Sequence, residues 1–313
     1  MIEITNRDKY LLEILNENGL MTYKQAGQLY ETSGYHFKRL KQLENDRYIK
    51  KFRKKYLILG SAGMNKLNLN KRASYNYQKR FLKKHEIEKR EVLVDLMLLC
   101  NKYNYEWFYS RTAKSRHNIN KGISINGLIS CQGKNYPVYV LSEYPSEKKI
   151  KHIQKGIPWL KTFDGAFIIC LNQEIYCDAL KISINNNRAP AHLYLLEYPA
   201  DIDLALSILS PGIMDSIYKT VLKINEILPA SKAYADKMAV RNNKEYYITN
   251  LLVNDLIRLN YIKEYLNKWY ELEQRPIIVI RKENQDYNFS GVSSEGIRDV
   301  VVSDVQLKKL CSV

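Results

Sequence analysis

Residues 47–60, RYIKKFRKKYLILG, place two short apolar runs on either side of Arg53-Lys54-Lys55. Ile49 and Phe52 bracket Lys50 and Lys51 as in a strand, and Tyr56-Leu57-Ile58-Leu59 reads as a second strand. Two such runs around a three-residue basic tip predict a β-hairpin. Three short helical patterns precede it. Residues 6–19 carry Tyr10, Leu11, Ile14 and Leu15 on one face, with Asn6 as the expected cap and Gly19 as the stop. Thr22 is an N-cap candidate for a second helix whose inner side is Ala26, Leu29 and Tyr30. A turn, Glu31-Thr32-Ser33-Gly34, leads to a third helix over about 35–45. Phe37, Leu40 and Leu43 are expected to point inward on that helix, and Tyr35, His36, Lys38, Arg39, Lys41 and Gln42 outward.

Helix, helix, turn, helix and basic hairpin make a winged helix-turn-helix, and the third helix has the residue types that read DNA. Arg and Lys can bond guanine edges or phosphates, and Gln can bond adenine. The small Ser33-Gly34 start lets the helix approach a groove wall. A basic wing would touch the backbone or minor groove. The expected double-stranded DNA contacts are therefore Ser33, Tyr35, His36, Lys38, Arg39, Lys41 and Gln42 on the helix, and Lys50, Lys51, Arg53, Lys54 and Lys55 on the wing. A winged helix used only for protein contact is the competing reading, and the local density of Lys and Arg argues against it.

Charge supports the DNA reading through its distribution. The net charge is +16; residues 1–90 hold 21 Lys+Arg against 9 Asp+Glu, a balance of +12, so the remaining 223 residues carry only +4. A bias toward Lys, Asn, Ile and Tyr explains a basic chain, but not this concentration at one end, which is the footprint expected for a polyanion partner. The first residues, with Glu3, Arg7 and Asp8, show no signal-peptide pattern, and no uninterrupted apolar run has membrane-spanning length. Cys100, Cys131, Cys170, Cys177 and Cys311 show no CxxC spacing and read as reduced, buried thiols. A cytoplasmic protein without membrane contact is the expectation.

Beyond a basic stretch at 63–84, a helix is expected from His85 to about Trp107, followed by strands at 124–130, 136–141, 165–171, 180–184 and 192–197. A helix or helical hairpin is expected at 146–160. This order predicts an α/β sandwich. The segments RLKQLENDRYIKK, YLILG, SINGLISCQGKNYPVYVLSEYPSEKKIKHI and FDGAFIICLNQEI, with His85 opening a helix, resemble the replication-relaxation family of plasmids, conjugative elements and phages. The resemblance covers about residues 6–185. It implies a winged helix joined to a domain of the restriction-endonuclease-like fold, and partners among replication or transfer proteins.

That fold cuts DNA with an Asp and a Glu on adjacent strands holding a divalent metal. Here Asn126 stands at the first position, and Pro137-Val138-Tyr139-Val140-Leu141 offers no acid at the second. Glu143 lies just beyond, and Lys148, Lys149 and Lys151 read as a solvated helix face. No catalytic residue, metal or cofactor is therefore expected, and the domain would serve for dimerisation or for docking DNA. The five histidines are scattered, and no Walker loop, GxSxG or HExxH occurs.

The C-terminal third reads as helices over 201–228, a polar loop over 231–243, a strand at 246–253, a helix at 255–272 and strands at 276–280 and 300–302. The expected chain is thus a mixed α+β, α/β multidomain protein. It has a winged helix at 1–62, a basic linker at 63–84, a degenerate endonuclease-like α/β domain at 85–200 and a C-terminal α/β lobe at 201–313. The expected function is sequence-specific binding of double-stranded DNA by a homodimer of a mobile element, in replication, conjugative transfer or transcriptional control. The alternative is a nicking or relaxase-type enzyme of the same element.

Overall fold

Local signals start the N-terminal region. In the computed structural model, Thr5 rather than Asn6 caps α1 (Asn6–Asn18), because the Thr5 hydroxyl accepts from the Asp8 amide while the Asp8 carboxylate accepts from the Thr5 amide. Gly19, at φ 93°, ends it. Strand β1 (Met21–Thr22) passes into α2 (Tyr23–Gly27) through a second capping box, Thr22 with Gln25. α3 (Tyr35–Asn45) follows, then β2 (Ile49–Phe52), β3 (Tyr56–Leu59) and α4 (Ser61–Lys66). The expected helices and hairpin are all present. β3 is the central strand of a three-stranded antiparallel sheet in the order β1-β3-β2. The structure describes residues 2–30, 34–69, 83–143, 146–171, 189–241, 244–283, 285, 287, 289 and 294–311. Ser33 and the strand expected at 180–184 lie outside these residues.

A long helix, α5 (Lys84–Lys102), adds its own side chains to the N-terminal core. Val94 and Met97 join Leu11, Leu15, Ala26, Leu40, Leu43 and Leu57 in one buried cluster. Polar bonds fix the docking. Arg90 Nη1 donates to the Asn18 carbonyl at 2.7 Å, and Gln25 Nε2 donates to the Glu91 carbonyl at 2.9 Å and to Asp95 at 2.8 Å. The helix stops short of Trp107 because Asn104 takes a left-handed conformation at φ 56°, which Asn tolerates well. Residues expected to continue it instead form β4 (Glu106–Tyr109), followed by α6 (Ser110–Arg116).

Then come β5 (Gly127–Cys131), β6 (Lys134–Leu141), α7 (Glu147–Gly156) with a 3₁₀ turn at Ile157–Leu160, β7 (Ala166–Cys170) and β8 (Leu193–Glu197). Gln132 and Gly133, both at positive φ, make the two-residue turn between β5 and β6. The remaining elements are α8 (Ile202–Ser207), α9 (Ile213–Leu222), β9 (Leu228–Pro229), β10 (Lys237–Arg241) and β11 (Lys244–Asn250). They are followed by α10 (Leu256–Lys268), α11 (Tyr270–Glu273), β12 (Ile277–Lys282), β13 (Ile297–Val302) and α12 (Asp304–Cys311). The polar stretch expected as a loop over 231–243 thus contains β10, whose ladder with β11 holds it although only Ala239 is buried.

The chain is mixed α+β. Two five-stranded sheets take their strands in chain order, β4-β5-β6-β7-β8 and β9-β10-β11-β12-β13. In each, a helix lies between the third and fourth strands and the last two strands run parallel. The 277–280 run of apolar residues follows from burial on both faces. Ile278 and Ile280 join a cluster with Ile217 and Leu307, while Ile277 and Val279 join another with Leu259 and Tyr265.

The chain divides into two compact units. The first is Met1–Ile119 with Asn126–Leu128 and Val140–Glu143; the second is Asn120–Ile125, Ile129–Tyr139 and Tyr144–Val313. These do not follow divisions at 62, 84 and 200. No described helix is long and apolar enough to cross a membrane.

One close approach sets a strict demand on sequence. The Gly60 amide donates to the Tyr48 carbonyl at 2.9 Å, and a Cβ on Gly60 would sit 2.2 Å from the Arg47 carbonyl oxygen. Both partners are backbone, so the α3–β2 turn and the start of α4 would have to separate. Gly60→Ala is expected to destabilise this region by about 2–3 kcal/mol. Amide exchange in β2, β3 and α4 should then accelerate by roughly the corresponding 30- to 150-fold. Unchanged exchange would show that the turn yields easily.

Candidate nucleic-acid interface

Helical geometry decides which side chains of α3 reach solvent. Successive residues rotate by about 100°, so Leu40 and Leu43 define a buried direction and Lys38, Lys41 and Asn45 lie opposite it. Lys38 and Lys41 are exposed accordingly, and Tyr35 is exposed at the helix start. Gln42 is half-buried at the edge. His36 is also half-buried: its ring lies over Gly27 at the end of α2, where a Cβ would come within 2.9 Å of Cδ2. It therefore packs the two helices together rather than standing clear as expected.

Two expectations for α3 are overturned. Phe37, expected inward, is 66% exposed, its ring tilted at 38° to that of His36 with the centroids 4.0 Å apart. Arg39, expected to face DNA, is buried. Its Nε donates to Asp8 Oδ1 at 3.1 Å, and its Nη2 bonds Asp8 Oδ2 and the Glu3 carbonyl. Arg39 is four residues before Leu43, so the two share a face, and Asp8 supplies the countercharge there. Burial pushes the Asp8 carboxyl up, but hydrogen bonds from Arg39, Thr5 and Tyr30 outweigh it and hold the group below its ordinary value. Arg39 is a structural cation, unavailable to a base or a phosphate.

The hairpin carries the second group. Lys50, Lys51, Arg53 and Lys54 are exposed. Lys51 Nζ lies 5.8 Å from the centre of the Tyr23 ring, and the Arg53 guanidinium 5.3 Å from that of Phe52. Arg53 and Lys54 both have left-handed backbones, at φ 45° and 56°. Gly or Asn would adopt this conformation more easily, so two cations occupy tip positions at a conformational cost. Lys55 differs from its neighbours. Its Nζ is 2.6 Å from Glu91 of α5, which raises its pKa and supplies it with a countercharge.

Lys38, Lys41, Lys50 and Lys54 have no ion-pair partner among the described residues. With Lys51, Arg53 and the Glu91-paired Lys55 they are the exposed cations of α3 and the hairpin. Of the other residues expected here, Arg39 and Lys55 are held by carboxylates, and His36 is held by packing. Sequence reading missed the role of Asp8, although Thr5-x-x-Asp8 is a visible capping-box signal.

The metal-site positions resolve differently. Asn126 Oδ1 accepts from the Val140 amide at 2.7 Å, so its carbonyl serves the backbone. Glu143 is exposed, as are Lys148 and Lys151, the latter 3.3 Å from Glu147. Among the described residues, no three His, Cys, Asp or Glu side chains are grouped so that they could hold a metal ion. Cys100, Cys131 and Cys170 are buried thiols outside any disulfide; Cys311 is a partly buried thiol, and Cys177 lies outside the described residues. Comparison of the chain with protein-family models, with curated proteins and with solved structures gave no match.

Proposed function

We propose that residues 5–60 are a winged helix-turn-helix that binds double-stranded DNA, with α3 in the major groove and the β2–β3 hairpin as the wing. The observation that carries this reading is the pattern of exposed cations. Lys38 and Lys41 stand on the side of α3 opposite its buried leucines, and Lys50, Lys51, Arg53 and Lys54 stand on the hairpin. Strained left-handed positions often mark function, and here they are occupied by Arg53 and Lys54. Tyr35 and Phe37 add exposed rings beside the α3 cations; an aromatic edge can pack on a thymine methyl. Arg39 and Lys55 are left out of the contact set because carboxylates already hold them.

The later domains are assigned docking or dimer-forming roles, not DNA cleavage. Asn126 brings no charge and Glu143 alone would leave a divalent ion mostly hydrated. Placement in a plasmid, conjugative element or phage rests on the sequence resemblance.

Binding is tested by fluorescence anisotropy of the full chain with labelled duplex DNA over a range of salt. If the six exposed cations meet phosphates, log K should fall with log[salt] at a slope of about −4 to −6. A slope near zero, or no binding at low salt, would refute the proposal. Supercoiled plasmid incubated with the protein and Mg²⁺ should remain supercoiled.

A further inference from the structure

The second unit holds a cavity of about 370 Å³ whose lining includes Lys134, His192, Tyr218, Asp236, Asp255 and Arg258. They come from the start of β6, the residue before β8, α9, the residue before β10, the cap of α10 and its first turn. A small-molecule site is typically of this size or larger. The hydrogen-bonding groups here are unevenly committed.

The carboxylates are engaged by the protein. Asp255 Oδ1 accepts from the amides of Leu193, Ile257 and Arg258 at 3.1, 3.2 and 3.3 Å, and Oδ2 lies 2.7 Å from His192 Nδ1. Asp236 Oδ1 takes Arg258 Nη2 at 2.7 Å; its Oδ2 takes the Tyr218 hydroxyl at 2.9 Å and the Asn250 amide at 3.0 Å. Asp164, a third carboxylate of the lining, accepts from the Asn135 amide at 2.9 Å. Lys237 is paired with Asp215 at 3.0 Å.

The donors are less engaged. Burial pushes the Asp255 carboxyl up, but His192 and Arg258 outweigh it and keep the group ionised. An ionised Asp255 holds a hydrogen on His192 Nδ1, so a proton taken up by the ring on binding an anion would sit at Nε2. The ring is fixed further by stacking on Tyr194 at 5.5 Å and 7°. Lys134 is exposed and has no ion-pair partner among the described residues. Arg258 is already held, by Asp236 through Nη2 and by the Ala233 carbonyl through Nη1 at 2.6 Å.

We propose that this cavity binds a phosphate-bearing ligand, with His192 Nε2 and Lys134 Nζ donating to the phosphate oxygens. Such charge-assisted bonds are among the stronger ones available to a protein. The same chemistry fits a free nucleotide or the phosphorylated end of a DNA strand. The site is built from other residues than the proposed α3 and wing contacts and does not depend on them.

The test titrates the full chain with inorganic phosphate, adenosine 5′-monophosphate and adenosine, following the histidine ring protons by NMR and the heat of binding by calorimetry. Phosphate and the monophosphate should shift the His192 ring signals saturably, and adenosine should not. Lys134→Ala and His192→Gln should each weaken phosphate binding by about tenfold. Lys134 is exposed, so its variant keeps the test valid even if His192→Gln disturbs the fold. Duplexes with a 5′-phosphate or a 5′-hydroxyl separate the two sources: only the strand-end reading makes the phosphorylated duplex bind more tightly. No shift at about 20 mM phosphate, or wild-type affinity in Lys134→Ala, would overturn the proposal.

Discussion

Asp8→Ala is expected to lower the stability of the N-terminal unit by about 3–5 kcal/mol, the usual consequence of leaving one member of a buried ion pair alone. Asp8 is fully buried and Arg39 nearly so. The carboxylate also accepts from the Thr5 amide at 2.8 Å, the Thr5 hydroxyl at 2.7 Å and the Tyr30 hydroxyl at 2.9 Å. One substitution therefore strands a guanidinium and a phenol and removes the α1 capping box. Thermal melts and amide exchange in α1 and α3 would measure the loss. Asp8→Asn combined with Arg39→Gln should be less damaging than the two single effects added together, because the double variant leaves no unpaired charge. A wild-type melt for Asp8→Ala would show that Arg39 finds another partner.

The same pair gives the unit an acid limit. The folded-state pKa of Asp8 lies below the unfolded value. Its contribution is therefore fully present above the unfolded pKa of about 3.9 and is lost as pH falls through the lower folded value. Arg39→Gln leaves the buried carboxylate unpaired, so it should lower stability at neutral pH and weaken or reverse this part of the acid dependence.

Replacing Lys38, Lys41, Arg53 and Lys54 together by Ala is expected to weaken duplex binding by about 100-fold or more at low salt. Each cation that meets a phosphate accounts for about 0.9 of the salt slope, so the variant should be shallower by about 3 to 4. All four side chains are exposed, so folding should survive. Lys55→Ala is the internal control. Its ammonium is already 2.6 Å from Glu91, so its removal should change the slope little. An equal effect of Lys55→Ala, or an unchanged slope in the fourfold variant, would place the DNA contact elsewhere.

Short-range chemistry determined the elements of the N-terminal region. Thr22 opened α2, Gly19 closed α1, and the paired runs around Arg53-Lys54-Lys55 made the hairpin, each through interactions spanning a few residues. The strands at 136–141, 165–171 and 276–280 were equally legible, because continuous β-branched and aromatic runs have few alternatives to a buried sheet. Side-chain fate was less legible wherever a distant residue decided it. Residue type alone sends Arg39 outward, but Asp8, 31 positions away, makes burial tolerable. Phe37 follows the Leu40 and Leu43 spacing, yet lies past the edge of their face and remains exposed. Lys55 looks like its neighbours in the chain, and only the docking of α5 beside the hairpin joins it to Glu91. β10 is polar and reads as a loop; its pairing with β11 supplies the stability that its side chains do not. The His192 cavity combines residues from 131 to 258, none of them within a recognisable motif. Sequence therefore determined the N-terminal helices and hairpin and the buried apolar strands, since capping, turn geometry and hydrophobic period act over a few residues. Tertiary structure decided which charges are available, because a charge is committed or left exposed according to the partner that folding brings to it.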